Sequence, residues 1–194
     1  YNKSLKKYIR LRKKYLGLKQ YHTYDRFLEL AHSNKEYTYE EAKELFFHSI
    51  SQFPQDFQDK AHEVLRDGFV DVMEKVGKRT GAYSSSVANL HPFILLNFDH
   101  TLDSVFTVAH EAGHSIHSMY ATQTQPTMLQ DYTIFVAEIA STFNEHTLLD
   151  YFLSLPDATK EEKIMVIQKA IDEIMSTFYR QTLFAEYEYL ANHE

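Results

Sequence analysis

The sequence predicts a mainly α-helical fold with a small β-sheet, and three observations carry that reading. Thr38-x-x-Glu41 and Thr159-x-x-Glu162 each pair a capping residue with an acid three positions on, just ahead of apolar-periodic stretches. From Val105 to Ile116 the chain is mostly apolar without Pro, long enough for a buried helix. Residues 92–98 form a short apolar run bounded by Gly77, Gly81 and Ser84-Ser85-Ser86 on one side and Thr101 on the other, which reads as a strand.

The elements follow in order. Leu5, Tyr8, Ile9, Tyr15 and Leu16 recur at helical spacing, as on an amphipathic first helix. Thr38 opens a helix through about Ser51, and Pro54 suits the first turn of another running to about Val76. The strand at 92–98 takes a partner near Ala82 and Tyr83. Thr101 caps a helix to about Ala121, and residues 123–126 turn the chain into a helix containing Glu138. Thr159 opens the last helix, whose stripe of Ile164, Ile167, Ile171, Ile174 and Phe178 is expected to face inward. There is no repeat, low-complexity tract or linker, so residues 1–194 read as a single unit whose 44% apolar content suffices for a core.

Composition narrows the function. No stretch reaches the roughly 18 apolar residues of a membrane span, and no signal-peptide pattern is present, so a cytoplasmic location is expected. The absence of Cys leaves only His and carboxylate as metal ligands. Residues 1–20 hold eight basic side chains and no acid, so the net charge of −7 divides into +8 there and −15 elsewhere. A cationic helix with interleaved Tyr8 and Tyr15 could touch phosphates. Its apolar periodicity instead suits packing on a domain with the charges solvated, so neither nucleic acid nor membrane is the expected partner.

The segment richest in chemistry is His110-Glu111-Ala112-Gly113-His114. On a helix the two histidines lie about 40° apart and roughly 6 Å along the axis, so both imidazoles can reach one metal ion. Glu111, about 100° from His110, can take a proton from a metal-bound water without becoming a ligand. Chance produces the bare H-E-x-x-H pattern roughly 0.05 times in such a chain, and the apolar flanks raise its weight because unpaired polar groups there are costly. The pattern implies zinc-dependent hydrolysis of a peptide bond.

The metzincin continuation needs Gly and His where this chain has His117 and Tyr120, which excludes that class. A carboxylate from the next helix is the remaining type of third ligand. Glu138, the one acid in Ile134-Phe135-Val136-Ala137-Glu138-Ile139-Ala140, is the candidate, against a structural ion pair. Glu145, seven residues on and within about 20° of Glu138, can accept the second ring N–H of a ligating histidine, or can simply be solvated. His117 rises about 10.5 Å from His110, too far to share the ion, and reads as pocket lining or a satisfied buried histidine. Arg180 either faces water or pairs with a buried acid such as Glu145. Zinc peptidases commonly bind substrate as an added strand, so the strand at 92–98 is expected either to offer backbone hydrogen bonds to a peptide or merely to cover the core.

These residues carry a resemblance. His110 to Ser115, then Ile134 to Thr142 and Asn144-Glu145, look like oligoendopeptidase F of the thimet oligopeptidase group. The likeness extends to Gly81-Ala82-Tyr83, to Pro92-Phe93-Ile94-Leu95-Leu96-Asn97 and to Arg180-Gln181-Thr182-Leu183-Phe184-Ala185-Glu186. It implies a zincin-like helical catalytic domain with a small sheet beside the motif helix. It further implies zinc held by His110, His114 and Glu138, with Glu111 as general base and short oligopeptides as substrates. Gly81, Ala82 and Tyr83 are expected to contact the substrate. Family members are much longer and place a segment with His and several Tyr further on, so the chain is expected to be a piece truncated at both ends, with the remainder of the parent polypeptide as its partner. Tyr83, Tyr120, Tyr132 and Tyr179 are the local candidates for an oxyanion donor. Two other readings stay open: a zinc-binding piece without activity of its own, and a basic-helix module that binds nucleic acid or a partner.

Overall fold

A computed structural model of the chain describes residues 2–87 and 90–193. The elements run α1 (Asn2–Tyr15), a 3-10 turn (Thr23–Phe27), α2 (Tyr39–Ser49), α3 (Gln55–Val64), β1 (Val70–Met73), β2 (Tyr83–Ser85) and β3 (Phe93–Phe98). They continue with α4 (Leu102–Thr124), α5 (Ile134–Ser154), α6 (Lys160–Glu173), a π-helical stretch (Ile174–Tyr179) and α7 (Arg180–His193). Contacts gather these into two compact units: residues 35–154, and a second built from residues 1–34 with 155–194. The sequence reads as one unit because neither crossing point has linker composition. The division lies in which segments pack together.

In the unit of residues 35–154, the helix starts follow local chemistry. Thr38 Oγ1 accepts the Glu41 N–H at 3.2 Å while Glu41 Oε2 accepts the Thr38 N–H at 2.7 Å, opening α2. Thr101 Oγ1 likewise accepts the Ser104 N–H, and Asp99 Oδ1 accepts from the Thr101 and Ser104 hydroxyls, fastening the start of α4. α3 follows Pro54 but ends at Val64 rather than continuing toward Val76. Gly68 at φ +89° turns the chain there, and the residues read as helix supply β1 instead.

The sheet order is β1-β3-β2, with β3 parallel to β1 and antiparallel to β2. Tyr83 lies opposite Leu95 and Ser84 opposite Ile94, so the expected pairing near Ala82 and Tyr83 forms. Ile94, Leu96 and Phe98 alternate into the core. The strand at 92–98 cannot, however, take a peptide as an added strand: β3 is central and both its edges are paired. Among the described strands the edge nearest α4 belongs to β2.

α4 and α5 pack antiparallel and very closely. His110 meets Glu145, Ala109 meets Asn144, and Ser118 meets Tyr132, so rising numbers on one element face falling numbers on the other. Gly113 marks the tightest crossing. A Cβ on it would stand 2.8 Å from the Ala140 carbonyl oxygen and 2.9 Å from the Ser141 Cα. Asn144, 1% exposed, donates to the Ala109 carbonyl at 3.3 Å across this crossing, and its Oδ1 has no partner.

The unit formed by the two chain ends is organised around a buried cation. Arg12, 1% exposed, donates to the hydroxyls of Tyr21 (3.1 Å) and Tyr8 (3.3 Å) and to the carbonyls of Asp25 (3.4 Å), Arg26 (3.0 Å) and Leu28. Asp172 of α6 lies 3.9 Å from it. The expected inward stripe of α6 does not hold. Val166 is fully buried, whereas Ile167, Ile174 and Phe178 are 45%, 51% and 63% exposed. Hydrogen bonds from Tyr8 to Asp172 and from the Leu30 N–H to Gln168 choose the inward face instead. The π-helical stretch then shifts the phase of every later residue, so no 3.6-residue stripe persists through it. Arg180 is exposed and packs over the Phe184 ring. Among the described residues, no helix is long and apolar enough to cross a membrane.

Gly113→Ala should destabilise the protein by about 1–3 kcal/mol despite the roughly 1 kcal/mol gained in helix propensity, because the methyl meets backbone that can yield only by separating the helices. Thermal unfolding beside the parent checks this; an unchanged or raised Tm contradicts it.

Candidate metal centre

Three side chains converge where α4 and α5 cross. His110 and His114, one turn apart on α4, place their Nε2 atoms 3.1 Å from each other. Glu138 of α5 brings Oε2 to 3.6 Å from His110 Nε2 and 3.8 Å from His114 Nε2. The histidines come together because four residues nearly complete a helical turn. Glu138 reaches them because Gly113 and Ala140 let the backbones approach. A tetrahedral site with bonds of about 2.0–2.1 Å spaces neighbouring ligand atoms about 3.3 Å apart, and the three separations bracket that value. Among the described residues this is the one His and carboxylate group of three that could hold a metal ion.

His110 and Glu138 are each held by a further side chain. Glu145 accepts a hydrogen bond from His110 Nδ1, which turns Nε2 toward the centre. Ser141 Oγ donates to Glu138 Oε2 at 2.8 Å. Burial works against the charge on His110, but the hydrogen bond and negative charge of Glu145 outweigh it and hold its pKa above the ordinary value. His114 moves the other way, lowered by burial and by the neighbouring His110.

Glu111 stands beside the centre on the sheet side of α4 and is 5% exposed. Burial pushes its carboxyl up to about 7; His110 pulls it down, while Glu138 pushes it further up. Its Oε2 is buried without a hydrogen-bond partner. A buried carboxylate oxygen left unpaired is costly unless something absent from the protein itself completes it.

The other expected site residues lie as follows. His117 is half-buried, stacks on Tyr132 at 4.1 Å, and lines an apolar cleft of about 320 Å³ with Phe57, Ile116, Tyr120 and Phe143. Its Nδ1 has no partner, so it is pocket lining rather than a satisfied core histidine. Gly81 and Ala82 lead into β2 and Tyr83 begins it, 40% exposed. The Tyr120 hydroxyl donates to Asp56 at 2.8 Å, and Tyr132 shares a 2.6 Å hydrogen bond with Ser118. Both are engaged away from the three converging ligands. Sequence reasoning missed the serines. Ser115, fully buried, joins Ser84 by a 2.8 Å hydroxyl bridge, and Ser86 donates to Ser118 at 3.2 Å. The available signal was Ser115 itself, four residues after Glu111 and so on the same helical face.

The chain resembles known proteins along its whole length. The model of Peptidase family M3 matches residues 1–194. Oligopeptidase PepF of Bacillus subtilis is 39% identical over 187 residues, covering 96% of this chain and 28% of that protein. An oligoendopeptidase F homolog of Lactococcus lactis is 37% identical over 184 residues, 95% of this chain and 30% of its own length. A solved protein of Chlamydophila abortus superposes with TM-score 0.84 at 42% identity, covering 97% of this chain and 32% of that one. A more distant structure from Bacillus anthracis, 19% identical, shares the fold at TM-score 0.68. The chain thus spans about three tenths of the length of the relatives it matches. With a match along its whole length, and a fold shared with solved structures, the chain belongs to peptidase family M3.

Proposed function

We propose that the chain carries the catalytic centre of a zinc-dependent metalloendopeptidase that cleaves short oligopeptides. The observation supporting this best is the convergence of His110, His114 and Glu138 to mutual separations of 3.1–3.8 Å, with the unpaired Glu111 oxygen beside them. His110, His114 and Glu138 would hold the ion, and Glu145 orients His110. Zinc, when bound, lowers the pKa of a coordinated water to about 7 and polarises a carbonyl.

Glu111 does the proton work. Its raised pKa, near neutrality, suits a group that must take a proton from water and then give it to the departing amine. Peptide is bound as an added strand along β2, with Gly81, Ala82 and Tyr83 supplying the near end of that edge. Oligopeptidase relatives support short peptides as the substrate class.

The reading has direct tests. Metal analysis of the purified chain should find about one zinc per molecule, and Glu138→Ala should lose it; a variant with parental zinc content removes Glu138 from the ligand set. Glu145→Ala should bind zinc about 10- to 100-fold more weakly, read by competition with a chromophoric chelator. Glu111→Gln should keep zinc and lower kcat on a quenched fluorescent oligopeptide by about 10²- to 10⁴-fold. Undiminished turnover would show that Glu111 is not the base.

A further inference from the structure

Glu138 is the least enclosed of the three converging groups, its side chain 44% exposed against 26% for His110 and 17% for His114. Its neighbours on α5 give it little to lean on, because Ile134, Phe135 and Ile139 are exposed as well. A glutamate so placed has three side-chain torsions to settle and water to turn toward. Two hydroxyls one turn further along α5 lie close to it. Ser141 Oγ stands 2.8 Å from Glu138 Oε2 and 3.1 Å from the Glu138 carbonyl oxygen, and Thr142 Oγ1 donates to that same carbonyl at 2.5 Å. A serine hydroxyl has one proton to give. The carbonyl already receives the Thr142 hydroxyl besides the helical N–H four residues on, so its two lone pairs are taken. The Ser141 proton is left for Oε2, the shorter of its two contacts.

We propose that Ser141 is a positioning residue for Glu138: its hydroxyl holds Oε2, the carboxylate oxygen that faces both histidines, against the pull of solvent. Ser141 can do this because it cannot itself move. It is fully buried where the helices touch, and its Cα is the backbone that a Cβ on Gly113 would meet at 2.9 Å. The donor is therefore dry and fixed by the crossing, although the carboxylate it holds is neither. A hydrogen bond to an ionised carboxylate is roughly twice as strong as one between neutral groups, enough to bias a half-exposed side chain toward one rotamer. An oxygen of a carboxylate has two lone-pair directions, so with Ser141 on one of them Oε2 keeps the other for the centre. The inference rests on the proposed function for the metal, while the hold on the carboxylate does not.

Ser141→Ala removes the hydroxyl without adding bulk at the crossing. In competition with a chromophoric chelator it should bind zinc about tenfold or more weakly than the parent, the range for a group that orients a ligand. A crystal structure of metal-free Ser141→Ala should show the Glu138 carboxylate turned away from His110 and His114, with the crossing of α4 and α5 unmoved. The structure separates positioning from packing. A carboxylate still facing the histidines overturns the proposal whatever the zinc result, and so does weaker zinc binding accompanied by separated helices. Parental zinc affinity in Ser141→Ala, beside a weakened Glu138→Ala, also overturns it. Parental zinc affinity in Glu138→Ala instead defeats the ligand set of the proposed function and leaves the crystal structure to judge Ser141.

Discussion

The close approach of α4 and α5 at Gly113 is the constraint on which the candidate centre depends. A carboxylate on one helix can join two imidazoles on another only if the backbones nearly touch, because Glu138 is short by comparison with the usual 8–10 Å between packed helix axes. Gly113 on one side and Ala140 on the other supply that nearness, and a side chain at position 113 has no room to exist. The same crossing brings Glu145 to His110 and Asn144 to Ala109. One small residue thereby sets the distances of ligand, orienting acid and interhelical bond together.

The electrostatics follow from that geometry. Three carboxyl groups, Glu111, Glu138 and Glu145, share a partly buried space with His110 and His114, and the arrangement divides their tasks. Glu145 is spent on His110, Ser141 steadies Glu138, and Glu111 keeps a buried Oε2 without a partner. Burial, with Glu138 and Glu145 adding to it, pushes the Glu111 carboxyl toward neutrality against the pull of His110.

Much of this was legible in the sequence, for specific reasons. Helix starts at Thr38, Thr101 and Thr159 are written locally, in a cap and the residues just after it. The nearness of His110 to His114 is also local, a matter of helical pitch. That Glu138 arrives at the same point is tertiary, and only its isolation in an apolar stretch and the family likeness pointed to it. What escaped was set by distant partners. The end of α3 depended on one glycine in a left-handed conformation, which a continuing apolar pattern disguised. The place of β3 in the middle of the sheet depended on β1, which had been absorbed into that helix. Arg12 looked like one more solvated cation in a basic stretch, although three carbonyls and two tyrosines gather around it. Ser115 carried one signal, its helical spacing from Glu111, but nothing in the sequence marked Ser84 of a distant strand as its partner.

Asn144 has a consequence for the uniqueness of the fold. Helices that meet through small residues can slide, since alanine and glycine fit one another at several offsets. A displacement of α5 by about half a turn, roughly 2.7 Å, would take the Asn144 amide off the Ala109 oxygen and leave a buried donor between successive carbonyls. The buried amide thus acts as an index mark between the two helices, making the alignment that unites Glu138 with the histidines the cheap one and its neighbours expensive.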